Sequence, residues 1–211
     1  MTTETSAAPS IGDKIKDVRA QLTSSGAPFE VQQLTLSDGR NVAAYRNAFQ
    51  NLPQFINAGR AHGAAEFLVY GDDRWTFDRF FATTDALASR LQKLHGLKAG
   101  ERVAIAMRNR PEWAVAFAAV ALLGAVPVPL NSFGLSSELM ANLEDTTPVM
   151  LFCDTDRYAR VKEAIAGQAI KTVVVDGEGG DVSWAELTAG GHDGFAAPQL
   201  DSDVPALVLF T

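Results

Sequence analysis

From Arg102 onward the chain repeats one unit, a short apolar run followed by a helix-patterned stretch. This alternation constrains the fold more than any other feature. The runs are RVAIAM from Arg102, AVPVPL from Ala125, VMLFC from Val149, KTVVV from Lys171 and ALVLF from Ala206. Their continuous aliphatic character is that of strands buried on both faces. Between them lie RPEWAVAFAAVALLG, SSELMANLEDT, TDRYARVKEAI and SWAEL, which read as helices or helical turns. Strands spaced in this way predict right-handed βαβ crossovers, hence an α/β fold with a mostly parallel sheet and helices on both faces. The strands are expected near 103–107, 126–130, 149–153, 171–175 and 206–210.

Local punctuation sets the helix ends. Asn109 is the expected cap and Pro111 the first-turn proline of a helix that stops at Gly124, and Ser136 or Ser137 caps the next. Trp113 and Phe117, one turn apart, are both expected to be buried. Before this region the pattern differs. Residues 1 to about 10 are small and polar and are expected to be disordered. Ile11, Ile15, Val18 and Leu22 then fall at helical spacing, and Asp38-Gly39 separates two alternating runs as a hairpin turn would. LPQFINAGRAHG reads as a short helix ending near Gly63, and EFLVYGDDRWTF as a second hairpin turning at Gly71-Asp72-Asp73. A longer helix follows from Asp78, with Phe80, Thr84, Leu87, Leu91 and Leu94 on one stripe and Gly96 as its stop.

Few residues invite chemistry by themselves. The 211-residue chain carries a net charge of -7 and no Lys/Arg run, which argues against nucleic acid or an anionic membrane as partner. Cys153 is the single cysteine, so no internal disulfide forms, and a reducing, cytoplasmic setting is expected. The opening MTTETSAAPS has neither the basic nor the apolar segment of a secretory signal. The longest apolar stretch, Trp113 to Val128, is shorter than the roughly 18 residues of a membrane span and is broken by Gly124 and Pro127. His62, His95 and His192 stand alone, without metal-ligand spacing, and read as structural. Cys153 reads as a buried small hydrophobe and Asp154 and Asp156 as helix-start carboxylates. The acidic DGEGGD from Asp176 lacks the spacing and the Lys-Ser/Thr pair of a phosphate loop and reads as a surface turn.

Taken together, WTF leading a helix, GLKAGERVAI, NRPEWAVAFAAVALLGAVPVPLN, SSELMANLED and LFCD resemble, in order and spacing, the N-terminal part of the adenylate-forming ligases. That superfamily includes acyl-CoA synthetases, luciferases and peptide-synthetase adenylation domains. The resemblance covers roughly 65–211. Residues 1–64 then form an N-terminal extension, of a kind seen in some bacterial fatty-acyl-CoA ligases, and 65–211 an α/β subdomain of an AMP-binding domain, incomplete at its C-terminal end.

The resemblance implies the rest. In that family a strand such as ALVLFT leads into the Ser/Thr/Gly-rich loop that holds ATP phosphates, so Thr211 would be its first residue. The family's other working groups lie downstream, and no catalytic residue is assigned here. The intact protein is expected to use ATP, Mg2+ and coenzyme A to activate a small-molecule carboxylic acid, working with the remainder of its own chain. Relatives are often dimers, which adds a homodimer to the expected partners. Phe133 and Gly134, in NSFGLS, match the coenzyme A and acyl entrance of relatives. Arg157 and Arg160 match arginines that some relatives place on the coenzyme A 3′-phosphate. Two alternatives stay open, a ligase fragment inactive alone and a non-catalytic α/β binding module. A nicotinamide-binding dehydrogenase is disfavoured because no GxGxxG follows any strand.

Overall fold

A computed structural model describes residues 10–210, which divide into two compact units between Gln50 and Asn51. The disorder expected at the N-terminus falls, but for Ser10, outside the described residues.

The first unit holds α1 (Ile11–Thr23) and the antiparallel pair β1 (Val31–Thr35) and β2 (Asn41–Tyr45), turning at Asp38-Gly39. Ser10 and Asp13 close a reciprocal capping box that starts α1. No residue of α1 is buried. Ile11, Ile15, Val18 and Leu22 line one side of an open apolar cleft whose other wall includes Phe29 and Tyr45.

The second unit begins with α2 (Leu52–Ala58), a single tight turn over 59–62, and the antiparallel hairpin β3 (Glu66–Tyr70) and β4 (Asp73–Thr76). Then come α3 (Phe77–His95), β5 (Arg102–Ala106), α4 (Pro111–Leu122), β6 (Val126–Pro129) and α5 (Ser136–Thr146). The series closes with β7 (Met150–Cys153), α6 (Thr155–Ile165), β8 (Lys171–Val174), β9 (Val182–Ser183) and α7 (Trp184–Thr188). Gly96 ends α3 in the left-handed region, at φ 66°, where a residue with a Cβ would be strained.

Strands β5 to β9 form one sheet in the order β6-β5-β7-β8-β9, and every pairing in it is parallel. The two-residue period of each strand divides its side chains between two cores. Val103, Ile105, Met150, Phe152 and Val173 face α3, α4 and α7. Ala104, Ala106, Leu151, Cys153 and Val174 face α5 and α6. Both faces are therefore covered, as the uninterrupted apolar runs require. After β8 the DGEGGD segment folds back against its own strand. Asp181 Oδ2 accepts hydrogen bonds from the Thr172 N–H and hydroxyl, both at 2.8 Å, and this sets β9 beside β8.

Several expectations are corrected. The run at 206–210 is not a strand, and the fifth strand is β9. Val208 N–H donates to the Pro127 carbonyl at 3.2 Å, so the run does reach the free edge of β6. A ladder cannot grow there. Val126 and Leu130 donate inward to Glu101 and Ile105, which leaves the outward donor positions to Pro127 and Pro129, and neither has an N–H. Leu209 and Phe210 are accordingly exposed rather than buried on both faces. Arg110, not Asn109, precedes α4, and Leu135 precedes α5 with Ser136 already inside it; neither helix has a side-chain cap. Trp113 and Phe117 stack in parallel at 5.3 Å but are only half-buried. They line a groove of about 390 Å³ with Phe55, Phe67 and Phe77.

Candidate functional site

From β5 the chain crosses to β6 at one edge and then returns past β5 to β7. In open parallel sheets, ligands bind in the crevice outside the carboxyl ends of the strands at such a reversal. Four loops meet there, at 107–110, 131–135, 154 and 175–176.

Asp154 is 4% exposed and ties three of them together. Its Oδ1 accepts the Arg157 N–H at 3.0 Å, capping α6 as the sequence predicts. Its Oδ2 accepts the Arg108 N–H at 2.9 Å and pairs with Arg157 Nη1 at 3.1 Å. Arg157, 3% exposed, passes the connection on, because its Nε donates to the Ser132 carbonyl at 2.6 Å. Asp176 forms a second knot. It accepts the Thr155 N–H and hydroxyl at 2.8 and 2.9 Å and pairs with Arg110 at 2.6 Å. Burial pushes the Asp176 carboxyl up, but these hydrogen bonds outweigh it and hold the group below the usual carboxylate range.

The 131–135 loop is held from several sides. Asn131 accepts the Phe133 N–H and donates to Glu138, and Arg160 Nη1 donates to the Gly134 carbonyl at 2.6 Å. A Cβ at Gly134 would lie 3.0 Å from the Asn131 carbonyl oxygen and 3.1 Å from the Glu138 carboxylate, a tight contact that favours glycine in this turn. Phe133 nevertheless stands 71% exposed, with the Arg108 guanidinium 4.6 Å from its ring centre. The result is an accessible aromatic ring on a fastened loop, flanked by cations, suited to a flat ligand that carries negative charge.

The structure thus brings Phe133, Gly134, Arg157 and Arg160 into one cluster. Thr211 lies outside the described residues. Sequence reasoning did not find Arg108 or the linking role of Asp154, because both depend on which loops become neighbours. Cys153 lies beneath the site, with burial and then the charges of Asp154 and Asp176 pushing its thiol up to about 12. Such a thiol stays protonated and unreactive. Among the described residues no three His, Cys, Asp or Glu side chains are placed to hold a metal ion, and no helix is long and apolar enough to cross a membrane.

The fold defines a parallel α/β subdomain whose sheet is covered by helices on both faces. Residues 55–211 match the family of AMP-binding enzymes, and the chain belongs to that family. It is 33% identical over 118 residues to an L-proline–[L-prolyl-carrier protein] ligase of Streptomyces coelicolor, a match covering 56% of this chain and 22% of that protein. It is 32% identical over 98 residues to a long-chain-fatty-acid–CoA ligase of Mycobacterium bovis, covering 46% of this chain and 16% of that protein. Among solved structures, coronafacic acid ligase from Pectobacterium brasiliense shares the fold with a TM-score of 0.69 at 20% identity, over 76% of this chain and 33% of that one. The chain thus spans a quarter or less of the length of these curated relatives.

Proposed function

We propose that the protein is the N-terminal part of an ATP-dependent carboxylate–CoA ligase acting on a fatty or other apolar acid in the cytoplasm. The intact enzyme would form an acyl-adenylate and pyrophosphate, and then transfer the acyl group to the coenzyme A thiol. The observation that carries this reading is the cation-flanked, exposed Phe133 at the reversal crevice. Its chemistry fits the nucleotide end of coenzyme A, a flat base bearing phosphates. The fatty-acid preference is supported by the long-chain ligase among the relatives. Residues 1–64 would be an extension, and 65–211 the scaffold of the AMP-binding domain.

In this reading Phe133 stacks the base, Gly134 lets the loop turn closely and Arg160 faces phosphate. Arg157 works from below by holding Ser132 in place. ATP binding would begin at Thr211. Mg2+, which would neutralise phosphate charge when bound, finds no set of carboxylates among the described residues, and no step is assigned through it. In-line attack on a phosphate depends on positioning and charge stabilisation, so this chain alone should be inactive. The test is ATP–pyrophosphate exchange over a panel of fatty and aromatic acids, run on this chain and on the longest product of its gene. Exchange by the longer product alone is expected. Silence from a longer product that contains the phosphate loop would favour a non-catalytic binding module instead.

A further inference from the structure

Arg108 belongs to none of the motifs singled out in the sequence, and its surroundings are unusual for the cluster. Arg110 pairs with Glu112 and Asp176, and Arg157 pairs with Asp154. The Arg108 side chain is exposed and meets no carboxylate among the described residues; its guanidinium lies 4.6 Å from the centre of the Phe133 ring. Its backbone, by contrast, is fastened through the N–H bond to buried Asp154. An arginine with an anchored stem and an uncompensated, planar head lies beside an aromatic ring that remains mostly open to solvent. If this cation–π contact served packing alone, it would cover the ring. Instead the ring and the guanidinium together form a wider flat surface that carries positive charge at one side.

We infer that Arg108 is a ligand-contacting, specificity-determining residue, which extends the Phe133 stacking surface and supplies a cation to a phosphate of the nucleotide bound there. This inference rests on the coenzyme A ligase reading above, which gives roles to Phe133, Gly134, Arg157 and Arg160 and none to the Arg108 side chain beyond its place beside the ring. Arg108, beside the Phe133 ring, and Arg160, bonded to the carbonyl of the next residue, would both reach phosphate there. Arg108 adds something a lysine could not, because only the guanidinium offers a plane for stacking together with directed donors.

The probe is adenosine 3′,5′-bisphosphate, titrated calorimetrically into the 211-residue chain at low and moderate salt. The parent chain is expected to bind, with affinity falling as salt rises. Arg108→Ala should weaken binding about five- to tenfold and flatten the salt dependence, while Arg108→Lys keeps the salt dependence but recovers only part of the affinity. Phe133→Leu should weaken binding without changing the salt dependence. Because Arg108 is exposed, Arg108→Ala should melt as the parent does, which separates ligand loss from unfolding. Binding by Arg108→Ala within about twofold of the parent, at both salt concentrations, overturns the inference. Absence of binding by the parent also overturns it, since every residue invoked lies in this chain. Either failure leaves the ligase reading to be judged by pyrophosphate exchange, which needs no coenzyme A.

Discussion

Replacing Asp154 by alanine should leave the buried Arg157 guanidinium with only the exposed Asp156 carboxylate, 3.7 Å away, as an ionic partner. In the native chain Asp154 and Arg157 are 4% and 3% exposed and 3.1 Å apart, and the same carboxylate caps α6 and accepts the Arg108 N–H. Removing one partner of a buried ion pair costs about 3–5 kcal/mol, because the other charge stays desolvated. Loss of the cap contributes about 1 kcal/mol by itself, and the orphaned Arg108 N–H adds a similar amount. These losses share one carboxylate and do not sum, so we expect about 4 kcal/mol, a large part of a domain stability of about 5–15 kcal/mol. The double variant Asp154→Ala/Arg157→Met removes the buried charge and should recover about half of this, less for the unmet Ser132 carbonyl. The assay is urea unfolding followed by tryptophan fluorescence. Trp75, Trp113 and Trp184 all lie in the second unit, so the signal reports that unit alone. A loss below about 1.5 kcal/mol, or a double variant no more stable than the single, would refute the buried-charge argument.

Phe117→Ala should cost about 2 kcal/mol, less than the 3–5 expected of a fully buried ring, because Phe117 is half-buried and stacks on Trp113 at one wall of an open groove. Urea unfolding checks the size of the effect, and a loss above about 4 kcal/mol would mean that the groove is closed in solution. His95 should make stability pH-dependent: burial first, then the nearby Lys171 charge, lowers its pKa. The unfolded chain therefore binds the proton more readily. Stability is fully present above the unfolded pKa of about 6.5 and declines as pH falls through the lower folded value. His95→Gln should remove that slope from urea midpoints measured between about pH 8 and 5, and an unchanged slope would assign it elsewhere.

Much of this architecture was legible because its causes are local. Val103, Ile105, Ala104 and Ala106 form one apolar run since both faces of β5 are covered, and such runs separated by helical patterns already imply parallel crossovers. Gly96 and Asp154 announce helix ends through backbone conformation and a side-chain acceptor, which neighbours in sequence can supply. The candidate residues Phe133, Gly134, Arg157 and Arg160 came from a family resemblance, and the loops then brought them together.

By itself the sequence determined four of the five strands of the sheet and the helices between them, that the sheet is parallel with helices on both faces, and that no histidine or cysteine stands in metal-ligand spacing. Tertiary structure alone decided which loops meet and which edges can pair. Ala206–Phe210 has every local feature of a strand, yet pairing needs donors on β6, and Pro127 and Pro129 withhold them from a distant part of the chain. The site behaves the same way. Arg157 reaches Ser132 across 25 residues, and Arg110 reaches Asp176 across 66. Hydrogen bonds and ion pairs act over a few ångströms of space, and only the folded sheet brings those partners within that range.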